Sequence, residues 1–287
     1  MTSSVDNVTR GPEFAQTFSR ERFEAAKQPE RLFILGVRVD NLDARTALEG
    51  VCSDIGRRVN KPMRKVFFAN VHTVHLAGKD EDFLNCVNAA DWVLPDGSGL
   101  AIAGLLFESP IRENLNGTDF TPRVLEKAER NGWSVYLLGA HPDVLRSCTH
   151  VLKRRFPGLK IAGSHSGYFS RTDEPAIVDD INTSNPDILL VALGSPLQEQ
   201  WIERHAHELR AGVAMAVGGL FDFLSGNKKR APGWMRKAGI EWVYRFFQDP
   251  GSKWDRVFIE IPLFVVTVFT AWLRTRGRSI VTGISRI

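Results

Sequence analysis

The chain has 287 residues, 37 Lys and Arg against 33 Asp and Glu, and 43% apolar residues, an ordinary globular composition with room for one large domain or two small ones. Its three cysteines, Cys52, Cys86 and Cys148, are odd in number and form no CxxC pair, which speaks against a disulfide framework and for reduced thiols in a cytoplasmic setting. The opening "MTSSVDNVTRGPEFAQ" lacks the apolar run of a secretory signal.

In chain order, residues 1–29 read as a polar N-terminal extension with room for a short helix over Phe14–Lys27. From Arg31 an apolar run, a turn and a helical pattern recur. "RLFILGVRV" leads to a helix starting at Asp43, and "KVFFAN" leads to the helical "VHTVHLAGKDEDFLNCVNAA". "DWVLPDGSG" precedes "LAIAGLLF", and "GWSVYLLGA" precedes "HPDVLRSCTHVLKRRF". "PDILLVALGS" precedes "PLQEQWIERHAHEL", and "GVAMAVGG" precedes "LFDFLSG". Strands alternating with helices predict an α/β fold around a mainly parallel sheet. The continuously apolar runs Ile188–Leu193 and Val213–Val217 fit strands covered on both faces.

The turns of this pattern carry its functional content. "LLGAHPD", "VALGSPLQE" and "AVGGLFD" each put Gly at the end of an apolar strand. Open α/β sheets bind ligands beyond the carboxyl ends of their strands. Glycine there lets the backbone approach a ligand, and the helix that follows favours an anion. A tight turn alone accounts for any one of them; three in one sheet point to a nucleotide or phosphate site. Pro142 and Pro196 fit the first turns of the helices that follow. No GxGxxG or GxxxxGK[ST] is present, so the signatures of dinucleotide and P-loop sites are missing.

"AADWVLPDGSGLAIAG" places Asp96 at the carboxyl edge of a strand, as an N-cap or as a general base. Asn70, Asp119, Gln198, Glu199 and Asp222 are further polar candidates, each also readable as a cap or a solvated helix residue. His72 and His75, like His205 and His207, lack acidic or Cys partners at ligand spacing and read as helix-surface histidines. No metal site and no cofactor is expected.

The chain changes character near residue 228. Lys228–Ile287 holds 12 Lys and Arg against 4 Asp and Glu, together with four of the seven tryptophans. Within it Val257–Leu273 is apolar apart from Glu260, is broken by Pro262, and at 17 residues is short of the roughly 20 that span a bilayer. Basic residues flank it (Lys253 and Arg256 before, Arg274, Arg276 and Arg278 after), with Trp254 and Trp272 near its ends. These features predict a helix lying in the interface of an anionic membrane. Packing on the body, or self-association into a homo-oligomer, is the alternative. Nucleic acid is not expected, because bulky apolar residues interrupt the basic ones.

Seven ordered motifs resemble the WecG/TagA/CpsF family of bacterial glycosyltransferases, from about Leu32 to Arg256. They are "FFANVHTVHLAGKDEDF", "ADWVLPDGSGL", "NGTDF", "VYLLGAHPDV", "NPDILLVALGSPLQEQWI", "AVGGLFDFLSG" and "RAPGWMRKAGIEWVYRFFQDP". The resemblance implies a Rossmann-like, mainly parallel sheet with helices on both faces and a helical, membrane-associated C-terminal appendage. It implies an inverting, metal-independent transfer of a hexose or N-acetylhexosamine from a UDP-sugar to a polyprenyl-diphosphate-linked saccharide. That chemistry would serve bacterial surface or exopolysaccharide synthesis, at the cytoplasmic face of the inner membrane and on its anionic surface. Asp96 would be the base. Donor-binding positions would be Asn70, Gly97, Gly99, Asp119, Gly139, Ala140, Gly194, Pro196, Gln198, Glu199, Gly218, Gly219, Phe221 and Asp222. Arg230, Arg236, Arg245 and Arg256 would meet the diphosphate of donor or acceptor. The implied division is residues 1–29 as extension, 30–229 as catalytic domain and 230–287 as appendage. One departure stands out. Several relatives carry Thr two residues before the Asn aligned with Asn70, where this chain has Phe68, which speaks against N-acetylmannosamine and leaves glucose or another hexose open as the donor sugar. A nucleotide-sugar oxidoreductase or epimerase is the rival enzyme class, and a membrane-tethered nucleotide-sugar-binding scaffold the rival without catalysis.

Overall fold

The structure is a computed structural model, and it describes residues 30–57 and 62–276. The helix expected over Phe14–Lys27 and the flanking Arg278 lie outside the described residues.

The apolar run read as one strand is two. Leu35 and Gly36 take φ of 50° and 89°, a left-handed turn that divides β1 (Glu30–Ile34) from β2 (Val37–Asn41) in a two-stranded sheet. Helix α1 (Ala44–Gly56) starts as expected, its first turn capped by Asp43, which accepts from the Thr46 amide at 2.8 Å. After β3 (Arg64–Ala69) the expected single helix is also two, α2 (Val71–Ala77) and α3 (Glu81–Asn88), the second capped by Asp80. Next come β4 (Trp92–Pro95), α4 (Ser98–Leu106), α5 (Gly117–Asn131), β5 (Ser134–Gly139) and α6 (Pro142–Arg155). The sequence pattern had not marked α5, β6 (Lys160–His165) or α7 (Glu174–Ser184). The body closes with β7 (Ile188–Ala192), α8 (Leu197–His205), β8 (Val213–Ala216) and α9 (Leu220–Leu224).

Strands β3 to β8 form one parallel sheet in the order β4-β3-β8-β7-β5-β6. Alternate residues of each strand feed two cores, as the two-residue strand period requires. On one face Phe67, Tyr136, Leu189 and Ala214 meet α2, α3, α4, α7 and α8. On the other, Val66, Leu137, Leu190 and Met215 meet α1, α5, α6 and α9. Chain order reverses beside β3, with β4 outside it and the last strand, β8, inside. The carboxyl ends of strands at such a reversal form a crevice.

The basic C-terminal segment folds as α10 (Gly233–Lys237), α11 (Glu241–Gln248), α12 (Pro250–Asp255), a π-helical turn (Arg256–Glu260) and α13 (Ile261–Arg276). Pro262 does not interrupt it. Pro262 stands in the first turn of α13, directly after the widened π turn, where a missing N–H costs least. The continuous helix Lys253–Arg274 has 22 residues, and an 18-residue stretch of it reaches a mean hydropathy of 1.8, so its length and composition suffice to cross a membrane. One stripe of it is nevertheless used by the body: Phe264 and Val268 are buried in the sheet's core beside α2 and α4. The opposite stripe, with Leu263, Val265, Val266, Phe269 and Leu273, is exposed.

Candidate active site

Register brings the first two polar groups together. Ala69 of β3 pairs with Pro95 of β4, so Asn70 and Asp96 leave adjacent strands side by side. The Asp96 amide donates to the Ala69 carbonyl at 2.7 Å, and Asn70 Nδ2 donates to Asp96 Oδ2 at 3.3 Å. Asn70 Oδ1 accepts from the Thr73 amide and caps α2, so a single side chain both starts the helix and holds the carboxylate. Asp96 itself caps nothing. The N-cap of α4 is Gly97, at φ 101°, with no side-chain cap bond. Removal from water pushes the Asp96 carboxyl above its ordinary range, while Arg245, Asn70 and Arg256 pull it back.

Asp96 lines a cleft of about 280 Å³ at the carboxyl edge of the sheet. A second wall comes from β7 and β8 through Gly194, Gln198, Gly218, Gly219 and Asp222. Gln198 Oε1 accepts from the Gly218 amide at 2.9 Å, and its Nε2 donates to Glu199 at 2.8 Å. Glu199 is buried behind this wall, accepts from Ser195 Oγ at 2.6 Å, and is pushed towards its neutral form by burial. The third wall is the C-terminal segment, with Lys228, Arg245, Lys253 and Arg256. Glu241 accepts from Arg245 at 2.9 Å, and the guanidinium lies 4.8 Å from the centre of the Phe223 ring.

The other expected site residues lie around this cleft rather than on its surface. Asp119 holds the C-terminal segment to the body, accepting from Arg230 at 3.0 and 3.2 Å, with Arg236 at 3.8 Å. Gly139 packs on the Ala192 backbone of β7, where a Cβ would meet the carbonyl oxygen at 2.3 Å, and Ala140 follows it at φ 57°. Gly99 lets α4 approach Val71 of α2, and Phe221 is wholly in the core. Pro196 is the N-cap residue of α8, after a cis Ser195–Pro196 bond, rather than part of the helix's first turn. Pro142 is the first residue of α6, as expected.

Several readings change. His72 is not a surface histidine: it lines the cleft, and its Nδ1 lies 2.9 and 2.8 Å from the two oxygens of Glu260. His205 is buried and bonded to Glu174 at 2.9 Å. Lys253, read as a membrane-facing flank, lines the cleft, as does Arg256, which was read both as such a flank and as a diphosphate residue. His72, Lys228 and Lys253 have no motif of their own; the basic bias after residue 228 was the one sequence signal pointing to the last two. Among the described residues no group of three or more His, Cys, Asp or Glu is placed to hold a metal ion, and the three cysteines are free.

The model of the glycosyl transferase WecG/TagA/CpsF family matches residues 32–278. The chain belongs to this family. Two relatives carry the name N-acetylglucosaminyldiphosphoundecaprenol N-acetyl-beta-D-mannosaminyltransferase. The one from Staphylococcus aureus (strain MW2) is 31% identical over 252 residues, 86% of this chain and 96% of the relative. The one from Bacillus subtilis (strain 168) is 33% identical over 199 residues, 69% of this chain and 76% of the relative. As a family member the protein is a glycosyltransferase of cell-envelope polymer synthesis.

Proposed function

We propose that the protein transfers a hexose or N-acetylhexosamine from a UDP-sugar to a polyprenyl-diphosphate-linked saccharide, with inversion and without a metal ion. The observation that carries this is the placement of Asp96. Its carboxylate is kept basic by burial, is held by Asn70, and faces Arg245 and Arg256 across the cleft. In this reading Asp96 takes the proton of the acceptor hydroxyl as that oxygen attacks the anomeric carbon. The leaving diphosphate gains charge at that moment, and Arg245, Arg256, Lys228 and Lys253 offer it positive charge. Gly194, Gly218 and Gly219 leave room for the nucleotide, and the relatives' names support a lipid-diphosphate acceptor. The exposed stripe of α13 supports peripheral contact with a membrane, which this reading puts on the cytoplasmic face of the inner membrane, with 230–287 as the appendage that meets the acceptor. Phe68 lies against Gly117 at the cleft wall, where it bears on which sugar is accepted.

The test is nucleoside-diphosphate release from a panel of UDP-hexoses and UDP-N-acetylhexosamines, with a polyprenyl-diphosphate saccharide in detergent and chelator present. Acceptor-dependent release by the native protein is expected, falling by about 10²-fold or more in a folded Asp96→Asn variant. Near-native turnover in that variant rules Asp96 out as the base. Chelator-sensitive release rules out the metal-independent route. Donor binding without turnover on any acceptor favours the scaffold.

A further inference from the structure

The π turn carries an ion-paired Arg256 and Glu260 at its two ends. Arg256, at its start, lines the cleft, while Glu260, at its end, is buried against α2. Glu260 has His72 Nδ1 at 2.8 Å and Arg256 Nε at 3.9 Å. A carboxylate accepts and does not donate, so Nδ1 carries the hydrogen and Nε2 is left with its lone pair. Among the described residues Nε2 has no hydrogen-bond partner, although His72 lines the same cleft as Asp96. A buried carboxylate thus fixes one ring nitrogen while the other stays open to the cleft, where a ligand can replace water on it. It is the arrangement that aims an imidazole at a ligand.

We propose that His72 binds the diphosphate of a cleft ligand through Nε2, taking up a proton as the ligand arrives, and that Glu260 is the positioning residue that orients and supports its charge. The inference rests on the transferase reading, which supplies the diphosphate. The groups facing the ring are Glu260 and Arg256 from the C-terminal segment and His75 from its own helix, with Asp96, Arg245 and Lys253 elsewhere around the cleft. Burial and Arg256 hold the empty site's imidazole below its ordinary range, so it is neutral near pH 7.5. A diphosphate placed beside it shifts that balance towards the imidazolium, whose Nε2–H then donates to a phosphate oxygen. The proton comes from solvent, and no covalent bond changes.

The experiment is titration calorimetry on the full chain in two buffers of different ionisation enthalpy, which counts protons taken up on binding. UDP-glucose and UDP-N-acetylglucosamine are the donor probes, because their diphosphates do not titrate near neutral pH. A short-chain polyprenyl-diphosphate N-acetylglucosamine is the acceptor probe. The native chain is expected to take up protons with at least one class of probe. His72→Gln is expected to lose that uptake and bind at least about tenfold more weakly. Uptake with a UDP-sugar places His72 on the donor, and uptake with the lipid probe alone places it on the acceptor. Glu260→Gln keeps an acceptor for Nδ1–H but removes the charge, so its uptake should begin about one pH unit lower. An unchanged onset removes the role of Glu260. Uptake that persists in His72→Gln belongs to another group, Asp96 above all, and overturns the proposal while leaving the transferase reading intact. If the native chain binds none of the probes, both readings fall together.

Discussion

Asp96 joins two consequences of one desolvation. Burial raises its carboxyl above the ordinary range, which makes it a stronger base and also opposes its ionisation in the folded chain. The native state therefore holds this proton to a higher pH than the unfolded chain does. Stability drawn from it is complete below the unfolded pKa and is lost as pH rises through the folded one. Replacing Asp96 by Asn removes that loss. The variant is expected to melt above the native protein at pH 7.5, with the difference closing as the pH is lowered through the raised pKa; differential scanning calorimetry across pH reads it. Turnover of the native protein should show the same group as an acid limb of kcat/KM above the ordinary carboxylate range. Asp96 was legible in the sequence because Pro95 and Gly97 bracket a lone carboxylate at a strand end. His72 was not, because its partner Glu260 is 188 positions away and meets it through tertiary packing alone.

At the scale of elements, polar ties hold apolar pieces in place. Strand β2 is joined to β4 and α3 through Arg38 and Asp40. Arg38 donates to the carbonyls of Asn88 at 3.0 Å and Ala90 at 2.6 Å, next to the end of α3, while Asp40 accepts from the Val93 amide at 2.7 Å. Arg38→Met leaves Asp40 fully buried beside the half-exposed Arg31, 3.7 Å away, and should cost about 3–5 kcal/mol in chemical denaturation. The C-terminal segment has a comparable tie. Glu241 grips both Arg230 and Arg245, and Arg230 grips Asp119. Glu241→Ala frees Arg245 from its position near Asp96. Turnover should fall by about ten- to a hundredfold, with a much smaller change in melting temperature. Element reading from the sequence succeeded where strands are buried on both faces, as in Ile188–Ala192. It missed β6, an edge strand whose residues are half-buried or exposed and so show no apolar run. It also missed the break at Leu35–Gly36, because a left-handed turn inside an apolar stretch leaves the hydrophobic pattern unbroken.

For the molecule as a whole, one helix serves two environments. Phe264 and Val268 anchor α13 in the core, while Leu263, Val266 and Phe269 are exposed on its other stripe. Full insertion across a bilayer would strip the first pair from the sheet, whereas lying in the interface uses the second set and leaves the first in place. The double variant Leu263→Glu/Val266→Glu should lose at least about tenfold in binding to anionic vesicles, read by flotation, while its melting temperature stays near native. Retained binding would move the membrane contact elsewhere, to exposed groups such as Trp254 or Phe247. The basic bias and the apolar run pointed to the exposed apolar helix that the structure shows. For Arg256 the family resemblance already pointed to a diphosphate, but the sequence could not show that Lys253 turns inward, because that depends on which side of the helix docks.

The order in which the parts are made adds a last consequence. All six strands of the main sheet, with Asn70 and Asp96 at their ends, are translated before Arg245, Arg256 or Glu260 exists. A growing chain can therefore complete its sheet and still have an open-sided crevice, without the cationic wall that would hold a diphosphate. The segment that supplies this wall runs directly into the helix that carries the exposed apolar stripe. Completion of the cleft and emergence of the exposed apolar stripe thus fall at nearly the same moment of synthesis, which limits the time during which either exists without the other.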